Sequence, residues 1–310
     1  MSRRGWILFA AMSVIWGIPY LLIKVADEGV SVPVLVFART SVAAVLLLPL
    51  ALRSRQLRVL LPYWRWLVVF ALIEIVGPWL LLSNAERQLS SSTTGLLVAT
   101  VPIIGVVLAR LTGDAERLTV VRLSGLLIGL GGVALLAGHL AGGGAWPIVE
   151  VLLVATGYAT GPLIASRKLG HLPGIGMTAV CLAFSALVIA PAAAVSMPHA
   201  VPPARVIASL AALAIICTAL AFVLFFKLIA EVGPARATVI TYINPAVAVA
   251  LGVTVLGEPL TPAILLSFAL ILSGSVLATR AGHRAAPEGE AAGVPDATAA
   301  VPPGEPARHP

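Results

Sequence analysis

Charge is scarce in this chain. Of 310 residues, 20 are Lys or Arg and 13 are Asp or Glu, 11% together, where a soluble domain carries about 25%. So little charge cannot clothe an ordinary water-facing surface. Cysteine is nearly absent as well: Cys181 and Cys217 both fall inside apolar runs. That excludes a disulfide framework or a CxxC metal site and leaves two structural thiols. No GxxxxGK[ST] phosphate loop occurs, so the chain has no nucleotide engine of its own. HExxH, GxSxG and clustered Asp or His are missing too, which leaves an intramembrane enzyme without a constellation to work with. A channel would line its path with repeated polar rings, and these are also missing; a membrane scaffold stays open. No residue set calls for a cofactor or a metal.

Long apolar runs dominate what is present. Mean hydropathy is +1.04 and 59% of residues are hydrophobic. Ten runs reach membrane-spanning length, at 6–24, 32–52, 64–83, 92–111, 120–139, 146–166, 176–196, 204–228, 236–256 and 261–280. A span needs about 20 mainly apolar residues, and only helices or closed barrels satisfy their backbone in lipid. Runs this long and uniform are not barrel strands, so the expected fold is an all-α integral membrane bundle of ten transmembrane helices. The opening MSRRGWILFAAMSVIWG imitates a signal peptide, but the run is too long and no small-x-small site ends it. It is expected to remain as the first span. Residues 281–310 shift to Ala, Pro, Gly and Glu, a composition expected to form a disordered tail.

The net charge of +7 suggests nucleic acid only until its distribution is considered. Cations gather in the loops after even-numbered spans: Arg53, Arg55 and Arg58, then Arg110 and Arg117, Arg167 and Lys168, Lys227 and Arg236, with Arg3 and Arg4 at the start. The other loops hold little beyond Lys24, Arg87 and Arg205. Such a bias marks the cytoplasmic side, so both termini are expected inside an inner membrane, with the lipid bilayer rather than nucleic acid as the partner. Trp6, Trp64, Trp66 and Trp146 fall at span ends, as interfacial indoles do.

The second five runs echo the first five. Pro102 aligns with Pro245, Glu116-Arg117-Leu118-Thr119 with Glu258-Pro259-Leu260-Thr261, Gly132 with Gly274, and Pro19 and Lys24 with Pro162 and Arg167. Residues 1–140 and 145–280 are therefore expected to form two repeats. Five crossings end on the side opposite the start, so the second repeat must insert inverted. Inverted repeats place a site near the midplane where the halves meet. Thr119 and Thr261 are expected to cap the helices they precede.

An intramembrane proline, a small-residue half-helix and GE-x-LT, once per half, resembles the EamA-type branch of the drug/metabolite transporter superfamily. Trp16-Gly17 with Lys24 in the first span and Arg39 in the second are similar to that family too. The resemblance covers about residues 5–280. The GEPLT copy is the nearer match, GDAERLT is diluted, and Gly157-Tyr158 stands where the first repeat has its tryptophan. It implies a membrane carrier of a small-molecule metabolite. Members differ in substrate, so amino acids, sugars, nucleobases and lipophilic cations stay open, as does a monomer or homodimer.

Within that frame the intramembrane polar residues are the candidate site. Glu74 lies mid-span in ALIEIVGPWLLL, where a charge costs about 2.5–3.5 kcal/mol on insertion scales. It is a candidate proton-coupling carboxylate, with protons as the coupling ion, or a contact for a substrate ammonium; a bonded structural glutamate is the bland alternative. Arg39 could clamp a carboxylate, pair with Glu74, or snorkel. Gly17 and Pro19, with Trp16 and Tyr20 beside them, are expected to interrupt the first span. Pro162, with Gly157 and Tyr158, is expected to break the sixth span likewise. Pro102 marks a break in the fourth span, and Pro245, with Thr241, Tyr242 and Asn244, one in the ninth. An acid and a base together favour an amino-acid-like solute, carried by alternating access; a lipophilic-cation exporter of the same fold would keep the acid and need no buried arginine. Lys24, Asn84, Glu86, Arg87, Glu150, Lys227 and Glu258 lie near span ends and are expected to be mostly solvated. Gly125, Gly129 and Gly132 form a small-residue stripe expected to pack inside the bundle.

Overall fold

The computed structural model describes residues 1–53, 56–113, 119–139 and 145–279. The middle of the first E-x-L-T copy, residues 116–118, and the tail from 281 lie outside them. Among the described residues, ten helices are long and apolar enough to cross a membrane. They are span 1 (Arg3–Ala26), span 2 (Val32–Arg53), span 3 (Leu57–Glu86), span 4 (Ser91–Leu111) and span 5 (Val120–Gly138) in the first half. Span 6 (Trp146–Leu169), span 7 (Gly174–Val195), span 8 (Ala204–Val232), span 9 (Thr238–Leu256) and span 10 (Pro262–Thr279) form the second. Spans 3 and 8 outrun the hydropathy reading at their ends, and this carries Glu86 into a helix that the sequence suggested would stop at residue 83.

Contacts between loops show that the chain crosses back and forth. The loops after odd-numbered spans meet at one end: the Ser31 hydroxyl donates to Ser196 Oγ at 2.9 Å, and Arg205 pairs with Glu28. At the other end Arg167 donates to Thr112 at 3.0 Å, Tyr63 packs on His171, and Ser2 donates to Glu231. These are called the odd end and the even end below.

Each repeat packs against its own image. Spans 2 and 7, 4 and 9, and 5 and 10 contact one another, while span 1 lies on span 8 and span 3 on span 6. Lipid removes the hydrophobic drive between helices, so close backbone approach must supply the attraction. The span 5 stripe does this against span 10. A Cβ at Gly125 would overlap the backbone of Ala278, and one at Gly274 would overlap the backbone of Gly129. Gly132 presses on Ile271 in the same way.

Proline decides where the spans are interrupted. Span 1 breaks between Ile15 and Pro19, and Pro19 then opens the next helix at its first turn, where its missing N–H costs nothing. Pro102 and Pro245 do the same after breaks at Ala99–Thr100 and at Ile243. Pro162 departs from expectation. It lies inside a helix that runs unbroken from Trp146 to Ile164 and then widens into an i→i+5 turn over Ala165–Leu169. The ladder thus passes Pro162 without a break, and the wide turn follows it. Two further wide turns occupy nearly the same place in each repeat, Ala71–Val76 in span 3 and Ile215–Leu220 in span 8. Thr119 and Thr261 accept from the amides of Arg122 and Ile264, both at 3.3 Å, as caps should. Trp6, Trp64, Trp66 and Trp146 are all exposed, Trp6 and Trp146 near span ends but Trp64 and Trp66 seven and nine residues into the lengthened span 3.

Candidate functional site

Arg39 is buried, 7% exposed, seven residues into span 2 from Val32, or roughly 10 Å in from the odd end at 1.5 Å per residue. It does not snorkel. Its Nε donates to Thr218 Oγ1 at 2.9 Å, and its guanidinium lies 3.7 Å over the Trp79 ring. Thr218 belongs to the wide turn of span 8 and donates in turn to Leu213 O at 2.7 Å, which satisfies a carbonyl that the widened ladder frees. Tyr20, Tyr158, Cys217 and Glu86 lie within electrostatic range of the guanidinium. The Trp79 indole is turned to the Tyr158 hydroxyl. Spans 1, 2, 3, 6 and 8 thus deliver one buried cation, two phenols, an indole and a hydroxyl to one neighbourhood. Among the described residues the terminal nitrogens of Arg39 carry no hydrogen bond.

Glu74 sits in the wide turn of span 3 and backs onto span 6, where a Cβ at Gly161 would overlap its carboxylate. Gly157 is just as tight, against Ile73 O and Pro78. The two glycines let span 6 approach this segment, and that approach shields the acid from lipid. Glu74 Oε2 is buried without a hydrogen-bond partner. The expected Arg39–Glu74 pair does not form: among the described residues the ion pairs are Arg87–Asp27 and Arg205–Glu28. Tyr158 lies within electrostatic range of both groups.

The helix breaks meet elsewhere. A Cβ at Gly17 would overlap Val247, so span 1 crosses span 9 at their interruptions. With its amide correctly oriented, Asn244 donates to Ser13 O at 2.9 Å and to Ile240 O at 3.0 Å. Trp16 packs on Phe225 and Phe222 of span 8, with centroids 4.7 and 6.0 Å away. Tyr242 bonds Thr279 at 2.6 Å, and Thr241 bonds its own helix at Thr238 O. The structure therefore brings Tyr20 and Tyr158 to Arg39, whereas Thr241, Tyr242 and Asn244 are engaged within span 9 or with spans 1 and 10. A cavity of about 310 Å³ opens between spans 3 and 7, lined by Leu57, Leu60, Trp64, Leu67, Val180 and Phe184 among others. Its walls are apolar and offer a polar solute nothing in exchange for its hydration.

The residues near the odd end are not mostly solvated. Glu86 and Glu150 are buried, at 0% and 3% exposure. Asn84 donates to Glu150 at 2.8 Å. Lys24 donates to the backbone carbonyls of Glu86 and Leu89. Glu258, from the GEPLT turn of the second half, accepts from Ser91 N at 2.7 Å, from Ser92 N at 3.0 Å and from the Ser92 hydroxyl. It caps the first turn of span 4 and so ties one repeat to the other, a charge-assisted arrangement that also suits the helix dipole. Asp27, in the loop after span 1, has Arg87 Nε at 3.7 Å and no hydrogen bond on either oxygen. Burial pushes its carboxyl up from 3.8 to about 6, against the opposing pull of Arg87 and Lys24.

Known proteins resemble this chain in sequence and fold. The profile of the EamA-like transporter family matches twice, at residues 3–138 and 145–280. An uncharacterized inner membrane transporter of Escherichia coli, YedA, is 30% identical over 87% of this chain and 88% of its own. A Streptantibioticus cattleyicolor protein named "Probable terminal-alkyne amino-acid exporter" is 30% identical over 90% and 94%. A solved crystal structure covers 90% of this chain and 97% of its own with a TM-score of 0.62 at 23% identity, a likeness of fold alone.

Proposed function

For a chain that belongs to the EamA-like transporter family, we propose that the group around Arg39 binds an amino-acid-like solute and that the two repeats carry it by alternating access, as an exporter driven by protons. The single observation behind this reading is Arg39 itself. A guanidinium held at 7% exposure without an acidic partner is costly, and a substrate carboxylate is the partner that would offset the cost. Thr218 and Trp79 hold the Nε edge and the face, which leaves the terminal nitrogens for bidentate contact. Glu74, deeper in span 3 and also unpartnered, supplies the opposite pole for an ammonium, with Tyr158 in range of both. The relative named as an amino-acid exporter fits the same chemistry. The pairing of spans 2 with 7 and 4 with 9 supplies the two-fold frame about which a carrier rocks. The cation distribution supports a cytoplasmic location for both termini.

Substrate counterflow in liposomes tests this. Purified protein is loaded in turn with amino acids, sugars, nucleobases and quaternary amines. Saturable exchange of amino acids supports the reading. Exchange of quaternary amines alone replaces it with a lipophilic-cation carrier, whose ligand would rest on Glu74 and the Trp16–Phe222–Phe225 aromatics. Movement of no solute in the panel sinks both.

A further inference from the structure

Two carboxylates at the odd end have no evident work to do. Glu86 ends span 3 fully buried, and neither of its oxygens has a hydrogen-bond partner. Asp27 stands beside it, likewise without a hydrogen bond on either oxygen. A buried acid normally holds a donor, because an unpaired one loses its hydration for nothing. Donors are close but differently employed. Lys24 spends its ammonium on the main-chain carbonyls of Glu86 and Leu89. Arg87 approaches Asp27 only at 3.7 Å and also donates to Val30 O at 3.2 Å. Glu258 faces Glu86 from the turn between spans 9 and 10, with its own oxygens committed to Ser91 and Ser92. Arg39 faces it from span 2, and Tyr20 and Tyr158 complete the titratable groups around it.

Two buried acids within electrostatic range of each other, one facing only Arg87 at 3.7 Å and neither hydrogen-bonded, relieve their repulsion when one of them takes up a proton. We propose that Asp27 and Glu86 form the binding site of the transported proton, distinct from the solute site at Arg39. This rests on the carrier reading and names where its coupling ion sits. The pair lies at the end that the cation distribution assigns to the outside, where an inward-directed proton would first meet the protein. A proton from water adds to one carboxylate oxygen of the pair, and the same O–H bond breaks when the site faces the other side. Arg39 lies within electrostatic range of Glu86, so the charge on the pair and the occupancy of the guanidinium are coupled. The titration of Asp27 at about 6 places the exchange within an ordinary pH range. Glu74 is left to the solute.

Infrared titration of the purified full chain between pH 5 and 8 tests the site without any solute. A protonated-carboxyl band with a midpoint near 6 is expected in wild type, and its loss is expected in Asp27→Asn and in Glu86→Gln. Asp27→Glu, which keeps an acid in place, should keep the band with a moved midpoint and guards against a variant that simply misfolds. A band that persists in both neutral variants, or that vanishes only in Glu74→Gln, overturns the proposal. A site that answers to added sodium instead of pH also overturns it. In liposomes, amino acid accumulation of about tenfold per pH unit for one coupled proton should fall to onefold in Glu86→Gln. Absence of amino acid counterflow in wild type while the band is present would remove the solute reading and leave the proton site standing.

Discussion

Replacing Arg39 by methionine should abolish recognition of the solute carboxylate and leave the fold intact. Each charge-assisted hydrogen bond is worth about 1.5–3 kcal/mol. A bidentate pair that must displace water from the guanidinium is worth about 2–3 kcal/mol in total, or roughly 30- to 150-fold in affinity. The structure sets what else the change removes: the Nε bond to Thr218 at 2.9 Å and the stack over Trp79 at 3.7 Å. Stacking contributes about 2 kcal/mol where water is excluded. Against this, methionine no longer carries a buried charge without an acid, a penalty of several kcal/mol. Thr218 keeps its own bond to Leu213, so no hydroxyl is stranded. Melting temperature should therefore hold or rise. The assay is competition in counterflow between an amino acid and its decarboxylated amine. Wild type should prefer the amino acid by at least about 30-fold, and the methionine variant by about onefold. Lysine should restore little, because an ammonium has neither the fork nor the flat face. If the methionine variant keeps the preference, Arg39 does not bind the carboxylate and the proposed solute site is wrong.

Three further outcomes follow from the packing and the odd-end acids. Ala at Gly125 or Gly274 meets backbone across the span 5–span 10 contact, whereas Ala at Gly131 or Gly138 meets open space. Thermal melts in detergent should show the first pair destabilised by a few kcal/mol or unfolded, of order 1–3, and the second neutral or stabilised by up to about 1 kcal/mol; equal effects would show the glycine stripe to be unimportant. Glu258→Ala removes the cap on span 4, worth about 1 kcal/mol, which is about fivefold in an opening equilibrium. A cysteine at Thr94, which is 0% exposed and belongs to that first helix, should label about fivefold faster in this background. Cys181 and Cys217 are buried and should stay silent, and an unchanged rate would show that Glu258 holds nothing shut. Asp27 has a folded-state value of about 6, above its ordinary 3.8. The folded protein thus binds this proton more tightly than the unfolded chain. Its contribution is fully present below 3.8 and is lost as pH rises through 6. Melting temperature should fall between pH 5 and 7 in wild type and fall less in Asp27→Asn; identical slopes would show that Asp27 does not titrate there.

Hydropathy alone made the ten spans legible, because lipid demands about 20 apolar residues at each crossing and punishes charge. The inverted repeat was legible because Pro102 and Pro245, and the two E-x-L-T turns, interrupt the same place twice. Arg39 was recognisable as a charge where charge is costly. Its neighbours were harder to find. Trp79 lies about one and a half turns beyond Glu74 in the same string, and an indole following an intramembrane acid so closely was the available signal. Thr218 looks like any hydroxyl in an apolar helix, and only the wide turn that aims it at Arg39 distinguishes it. Glu86 and Glu258 looked solvated because span ends usually are. What buries Glu86 is the longer span 3 and the loops packed over it, and what engages Glu258 is a helix start 166 residues away; neither is local in sequence. Pro162 misled too: a proline rule predicts a broken ladder, but the ladder passes it unbroken and widens only after it.

The pairing of spans 2, 4 and 5 with their images also bears on which side the empty protein faces at rest. If the bundle rocks about its two-fold axis, the state open to one face is, in backbone terms, the other state turned over. A chain with identical halves would populate the two equally, and its idle state would favour neither side. Whatever inequality exists must come from positions where the halves differ, such as Glu74 in one wide turn against Cys217 and Thr218 in the other, or Arg39 without a charged counterpart in span 7. A bias of 1.4 kcal/mol is about tenfold in resting population, within reach of one such substitution. For a bundle that rocks in this way, the resting orientation would be set by a handful of side chains on a frame that is otherwise impartial.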